Sequence, residues 1–237
     1  MKELEDFEWF PNILRQYQTD FIGFVVSKFN VYAPFIDYLK ASTKASSNMV
    51  DWCAGSGEPA ISIFQKAGIF KQLELTDKFP SKYNGGAKNI IYNMDAVDVL
   101  ETSIIENTTY TMFNAFHHFE TSEQIRIVKR LKDNHANAFI VEILAPDFLF
   151  YFKILFTTTI GTLLLTPFLK PFSFKRLFFT YILPINVFTI TYDGLVSVYK
   201  SKSVKQYQQQ LDGILEPSAI FELKKGLFKL IVIQVKP

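Results

Sequence analysis

From residue 49 onward, short apolar runs alternate with longer segments whose apolar side chains return at helical spacing. The runs 49–52, 73–76, 90–92, 110–113 and 139–143 predict strands. Such alternation predicts right-handed βαβ crossovers and a mainly parallel sheet covered by helices. Near the C-terminus, runs 219–223 and 228–235 flank Lys224-Lys225-Gly226-Leu227 and predict a closing antiparallel hairpin. Ahead of the first strand, Ile13, Leu14, Tyr17, Phe21, Phe24, Val25 and Phe29 predict one or two amphipathic helices packed on the main domain. The polar run 41–48 reads as a loop, and residues 204–214 as a further amphipathic helix.

Residues 148–192 break this pattern. Their 45 positions hold ten phenylalanines, four basic residues (Lys153, Lys170, Lys175, Arg176) and no acid. An uncharged run there, 154–169, is 16 residues long, short of the ~20 that a spanning helix needs. Pro167, Pro171 and Pro184 are expected to divide the segment into short helices. Two readings stay open: a lid whose apolar faces are buried on the domain, or an element on an anionic membrane surface with Lys170, Lys175 and Arg176 near headgroups.

At 237 residues the chain suits one α/β domain with an elaboration. A net charge of +2 gives no global signal for a nucleic-acid partner. The single cysteine, Cys53, excludes an intramolecular disulfide and reads as a small buried side chain. An acidic start, Glu3-Leu4-Glu5-Asp6, lacks the basic and apolar regions of a signal peptide, so a cytoplasmic location is expected, with peripheral contact at the inner membrane face as the insertion's second reading.

The stretch with most chemistry is Met49-Val50-Asp51-Trp52-Cys53-Ala54-Gly55-Ser56-Gly57-Glu58-Pro59. It runs from an apolar strand end through an acid and a glycine loop to a residue suited to a helix's first turn. Gly55 to Ala60 formally satisfies the dinucleotide fingerprint, with Asp77 twenty positions beyond Gly57. Asp51 before the loop and Glu58 after it oppose a pyrophosphate and suit a cationic cofactor better. Ligands of open α/β sheets bind beyond the carboxyl ends of the strands, where Asp77, Asp95 and the run Asn114-Ala115-Phe116-His117-His118-Phe119 also fall. A carboxylate at Asp77 can accept from both hydroxyls of a ribose. His135, in a polar stretch, is assigned no role.

Residues 49–59 resemble motif I of class I S-adenosylmethionine (SAM) dependent methyltransferases, with Asp51 in the place of that loop's usual acid. Asn93-Met94-Asp95-Ala96 resembles the family's adenine-binding element, and 114–119 is similar to its motif IV; the resemblance covers about residues 48–145. It implies SAM as cofactor, held by Asp51, Ala54, Gly55, Ser56, Gly57, Asp77, Lys78, Asp95, Ala96 and Asn114. His117 or His118 would serve as a general base where the acceptor must lose a proton. Insertions after the fifth strand commonly shape the acceptor pocket, which here would be apolar and carry Arg176, Tyr181, Tyr192 and Asp193 as polar groups. No metal is expected. The implied fold is a Rossmann-like α/β domain with a seven-stranded, mainly parallel sheet. Its expected parts are an N-terminal helical cap (1–47), the SAM-binding core (48–145), an apolar helical insertion (146–215) and the terminal hairpin (216–237). The function implied is methyl transfer to a hydrophobic small-molecule or lipid-like acceptor; a non-catalytic membrane-associated scaffold and a nicotinamide-dependent oxidoreductase are the alternatives.

Overall fold

The computed structural model describes residues 1–43, 48–81, 87–144, 146–225 and 228–237. Its strands are β1 (Asn48–Trp52), β2 (Leu73–Thr76), β3 (Ile90–Tyr92), β4 (Thr108–Phe113), β5 (Asn137–Glu142), β6 (Ile220–Lys225) and β7 (Phe228–Val235). They form one seven-stranded sheet in the order β3-β2-β1-β4-β5-β7-β6. The first five pair in parallel, while β7 runs antiparallel to both β5 and β6. The expected mainly parallel sheet with a closing antiparallel hairpin is what the chain forms; residues 226 and 227 of the anticipated turn lie outside the described residues.

Every residue of β4 is buried, as a central strand covered on both faces requires. Its side chains alternate between two cores. Phe113 joins Phe139, Val141 and Val232 beneath α2 (Ala33–Ser42) and α3 (Ala60–Ala67). Tyr110 and Met112 join Ile140 and Ile233 beneath α4 (Thr121–Asp133) and α9 (Val204–Gln210). The helices begin where local chemistry permits: a reciprocal Glu120/Glu123 box opens α4, and a Ser203/Gln206 box opens α9. The segment before β1 gives two helices, α1 (Asn12–Lys28) and α2; the latter extends into the polar run read as a loop, of which residues 44–47 lie outside the described residues.

The insertion departs from expectation in one respect. In place of separate short helices, Phe148–Phe168 is a continuous helical run of 21 residues, built from α5 (Phe148–Phe156), a π turn, α6 (Thr162–Leu165) and a final 3-10 turn that takes in Pro167. A proline near a helix end leaves most of the hydrogen-bond ladder before it intact. Thr158, Thr162 and Thr166, four apart, are buried against the domain, each hydroxyl donating to the carbonyl four residues earlier. A short helix α7 (Phe174–Leu177) follows, and then α8 (Ile185–Lys200), whose Gly194 faces Ile154 and Thr158 so closely that a Cβ there would meet them at 3.0 and 3.1 Å. The opposite face is open, with Phe148, Phe156, Phe174 and Phe188 all more than three-fifths exposed.

Candidate functional site

The strand order reverses between β1 and β4, which opens a crevice beyond their carboxyl ends. On the β1 side the backbone turns through three residues with positive φ: Cys53 (+59°), Gly55 (+55°) and Gly57 (+93°). Cys53 thus holds a conformation that favours glycine, at a cost of roughly 1–2 kcal/mol. Burial, and then the nearby Asp77 and Asp51, push its thiol well above the ordinary range, which suits the small-side-chain reading and not a reactive one.

At the end of β2, Asp77 closes against this loop. Its Oδ2 accepts from the Gly55 amide and its Oδ1 from the Phe79 amide, each at 2.8 Å, and Tyr92 Oη donates to the Gly55 carbonyl at 2.6 Å. Burial raises the Asp77 pKa against these hydrogen bonds. Arg15 of α1 stands over the Phe79 ring at 4.0 Å. Ser56 donates to the Thr19 carbonyl, and Thr19 packs on Gly55, so α1 lies directly on the loop.

The other sequence-predicted cofactor residues are dispersed. Asp51 is buried in the sheet, where it accepts from Thr111 Oγ1 at 2.6 Å. Ala54 is buried and donates its amide to the Thr76 carbonyl. Lys78 turns outward to Asp98 at 3.4 Å. Asp95 and Ala96 are exposed at the rim. Asn114, just past β4 with φ +50°, has an Oδ1 that is buried without a hydrogen-bond partner. Glu58 folds back to accept from the Ser62 amide and from Ser27, so its carboxylate sits at the start of α3 where a dinucleotide would place phosphate.

On the β4 side the crevice holds a dense charged cluster. His117 is 1% exposed; its Nδ1 lies 2.6 Å from Glu142 Oε2, and its Nε2 has no hydrogen-bond partner. His118 Nδ1 lies 2.8 Å from Asp6 Oδ1, and its Nε2 is 3.3 Å from Glu3 Oε2 and 3.6 Å from Glu5 Oε1. Lys200 bridges Glu3 and Asp6 at 3.1 and 3.5 Å. Burial opposes a charge on His118, yet Glu3, Asp6 and Glu5 outweigh it and push its pKa up to about 10. Burial pushes Glu5 up to about 8 despite His118, and Asp193 up to about 6. For Asp6, His118 and Lys200 overcome burial and hold it down to about 2.

A cavity of about 100 Å³ adjoins this cluster. Its walls are largely apolar, from α1, α5 and α8, with Glu3, Glu5, Asn114 and Asp193 at the polar edge. Of the four residues expected in the insertion's pocket, Asp193 alone lines it. Asp193 also accepts from the Leu4 and Glu5 amides and from Gln18, and so fixes the N-terminal turn in place. Arg176 is buried in an ion pair with Asp20, over the Tyr17 ring, and so is not available to a headgroup. Tyr181 donates to the Leu163 carbonyl, and Tyr192 stacks on Phe188. His135 lies exposed on the surface. The sequence reading missed Glu3, Glu5, Asp6 and Glu142: the acids near the N-terminus carry no motif, and their only signal was a charge complement to the two histidines.

No protein-family model matches the sequence, and no curated protein matches it. Solved structures do share its fold. Human N-acetylserotonin methyltransferase in complex with SAM superposes with a TM-score of 0.57 at 11% identity, over 94% of this chain and 56% of that one. An O-methyltransferase family 2 protein from Planctomyces limnophilus in complex with apigenin gives 0.51 at 14%, over 92% and 62%. The plantazolicin methyltransferase BpumL in complex with SAH gives 0.50 at 12%, over 94% and 88%. The chain spans about three-fifths of the length of the first two. At these identities the likeness shows the fold, which is that of the class I SAM-dependent methyltransferases.

Proposed function

We propose that this chain transfers a methyl group from SAM to a small acceptor that presents an apolar body and one polar group. The observation that carries the reading is the Cys53–Gly57 loop closed by Asp77 on the β1 side of the switch point, with an apolar cavity edged by acids across α1 from it. The residues fit such a cofactor. Each Asp77 oxygen holds one backbone amide and keeps a second acceptor direction for a ribose hydroxyl. Asn114 Oδ1 is an unpaired acceptor at the cavity edge, and Glu3, held low against burial by His118, His117 and Lys200, supplies negative charge there for an ammonium or sulfonium.

SAM, when bound, supplies an already activated methyl group and a good leaving group. The chain then has to position, exclude water and handle one proton. His118 already carries its proton near neutrality, so it is a poor general base. His117, backed by Glu142, keeps a buried Nε2 with no hydrogen-bond partner. A cavity of about 100 Å³ is smaller than the roughly 300–1,000 Å³ usual for a small-molecule site, so the acceptor enters only if α1 or the insertion moves outward. The dinucleotide alternative is disfavoured by Glu58 at the start of α3.

The open face of the insertion supports a peripheral membrane location. Exposed rings of Phe148, Phe156, Phe174 and Phe188 share this surface with exposed Lys170 and Lys175. Phe148–Phe168 is long and apolar enough to cross a membrane, but its threonine face is packed along the domain, which favours lying on a surface over spanning one. Two assays test these readings. Purified protein with SAM and a panel of apolar hydroxylated compounds should yield S-adenosylhomocysteine; no turnover with any, at full SAM occupancy, would favour a scaffold. Sedimentation with anionic vesicles should carry the wild type down and leave a Lys170→Glu/Lys175→Glu variant in solution; equal behaviour of both removes the electrostatic part of the membrane reading.

A further inference from the structure

The histidine pair has a geometry that methyl transfer does not require. Both imidazoles are held from behind by a carboxylate at Nδ1, His117 by Glu142 at 2.6 Å and His118 by Asp6 at 2.8 Å. Glu142 is itself fixed, because its other oxygen accepts from the Phe116 amide at 2.7 Å. An Nδ1–H donated to a carboxylate turns the Nε2 lone pair outward, the arrangement found behind metal-bound histidines. Both Nε2 atoms face one carboxylate, Glu3, at 4.0 and 3.3 Å. The donor atoms of Glu3, His117 and His118 all lie within 4.8 Å of one another. An ion roughly 2.0–2.2 Å from each donor holds neighbouring donors about 3–3.6 Å apart, so a small contraction closes the site.

An independent observation points the same way. His117 Nε2 is buried, has no hydrogen-bond partner and is directed into the cluster. A buried polar atom left in that state is costly to folding. Glu3, Asp6, Glu142 and Asp193 crowd carboxylates around the pair, with Lys200 and Arg15 as neighbouring cations among the described residues.

We propose that Glu3, His117 and His118 bind a divalent transition-metal ion, with Glu5 beside it and an open coordination position toward the cavity. Two imidazoles and a carboxylate suit zinc, cobalt or ferrous iron and disfavour magnesium and calcium, which prefer all-oxygen sets. The ion takes the place of the proton that His118 Nε2 shares with Glu3, and Lys200 keeps Asp6 as its partner. It also staples the N-terminal turn, already capped by Asp193, across the mouth of the crevice. An ammonium or sulfonium at this place would need the carboxylates but neither imidazole. The inference stands whether or not the chain transfers methyl groups.

The test is calorimetric titration of chelator-treated full-length protein with zinc, together with the visible spectrum of its cobalt form. One equivalent of zinc is expected, with an intense cobalt spectrum that zinc bleaches. Glu142→Gln should weaken zinc by about 10–100-fold, as removal of an outer partner does, and His117→Ala by more. His135→Ala, at the exposed histidine, should change nothing. X-ray absorption of the zinc-loaded wild type should show two imidazoles, a readout that does not depend on any variant folding. Absence of stoichiometric binding, zinc without imidazole ligands, or unchanged affinity in folded His117→Ala would each overturn the proposal.

Discussion

The crevice at the β1–β4 switch point and the insertion over residues 148–192 treat their side chains in opposite ways. In the crevice, acids and imidazoles are buried or half-buried, and nearly every one has a partner within hydrogen-bond distance. In the insertion, large rings face solvent and acids are absent altogether. Buried polar groups survive folding only when they are held, so their arrangement reports an internal task. An apolar face of this breadth gains nothing from water, which is the ground of the proposed membrane reading. The lesson is that the crevice should be sensitive to small changes in shape and charge, while the insertion should tolerate them until a membrane is added.

The sharpest way to break that contrast is to compare one substitution from each region. Gly57 has a φ of +93°, and a Cβ there would come within 2.7 Å of Ile61 Cδ1 and 3.0 Å of Leu75 Cδ1. Gly57→Ala should therefore cost about 2–4 kcal/mol in urea unfolding, from left-handed strain together with overpacking. Phe156→Ala, at a ring 62% exposed, should fall within about 0.5 kcal/mol of wild type. Similar losses at both positions would mean that the insertion's outer face is packed in solution.

A second comparison keeps the fold and changes only the surface. Replacing Phe148, Phe156 and Phe174 by serine should lower partitioning onto anionic vesicles at least about tenfold, since each ring returned to water gives up part of its roughly 1.5–3 kcal/mol. Thermal unfolding without vesicles should barely move, and a large drop in the midpoint would assign those rings to the core.

A third effect belongs to pH and to the crevice alone. Glu5, held up to about 8, and His118, held up to about 10, bind their protons more tightly folded than unfolded. The stability they contribute is in place at low pH and is lost as pH rises, for Glu5 between about 4.5 and 8 and for His118 between about 6.5 and 10. Asp6, held down to about 2, works in the other direction: its contribution is present above 3.8 and lost as pH falls through about 2. Unfolding free energy should therefore decline from about pH 5 to pH 10, and Glu5→Gln should flatten the lower part of that slope. An unchanged profile in Glu5→Gln would show that its carboxyl is solvated.

The sheet was legible in the chain because parallel strands are short apolar runs, and all five parallel strands fell where such runs occur, while β6 and β7 fell on the two apolar runs flanking 224–227. The loop was legible because glycines and a following proline mark backbone geometry directly; the third positive-φ position, Cys53, was not, since a cysteine carries no such mark. The charged cluster was half legible. His117 and His118 stand at a strand end where ligands are expected, but Glu3, Glu5 and Asp6 reach them across more than one hundred residues, and no local pattern encodes that contact. Arg176 shows the reverse error: a basic residue in an apolar segment invited a headgroup, while Asp20 on α1 holds it inside. The insertion's unbroken helix was hidden because Pro167 sits in its last turn, where it breaks nothing.

Calorimetric titration with S-adenosylhomocysteine, and separately with NAD, each repeated on Asp77→Ala, decides whether the loop closed by Asp77 holds SAM. S-adenosylhomocysteine is expected to bind and NAD is not, and the substitution is expected to weaken binding about 10-fold or more, the worth of hydrogen bonds to a charged acceptor. Binding of NAD in its place, or S-adenosylhomocysteine affinity indifferent to Asp77, would contradict the SAM reading.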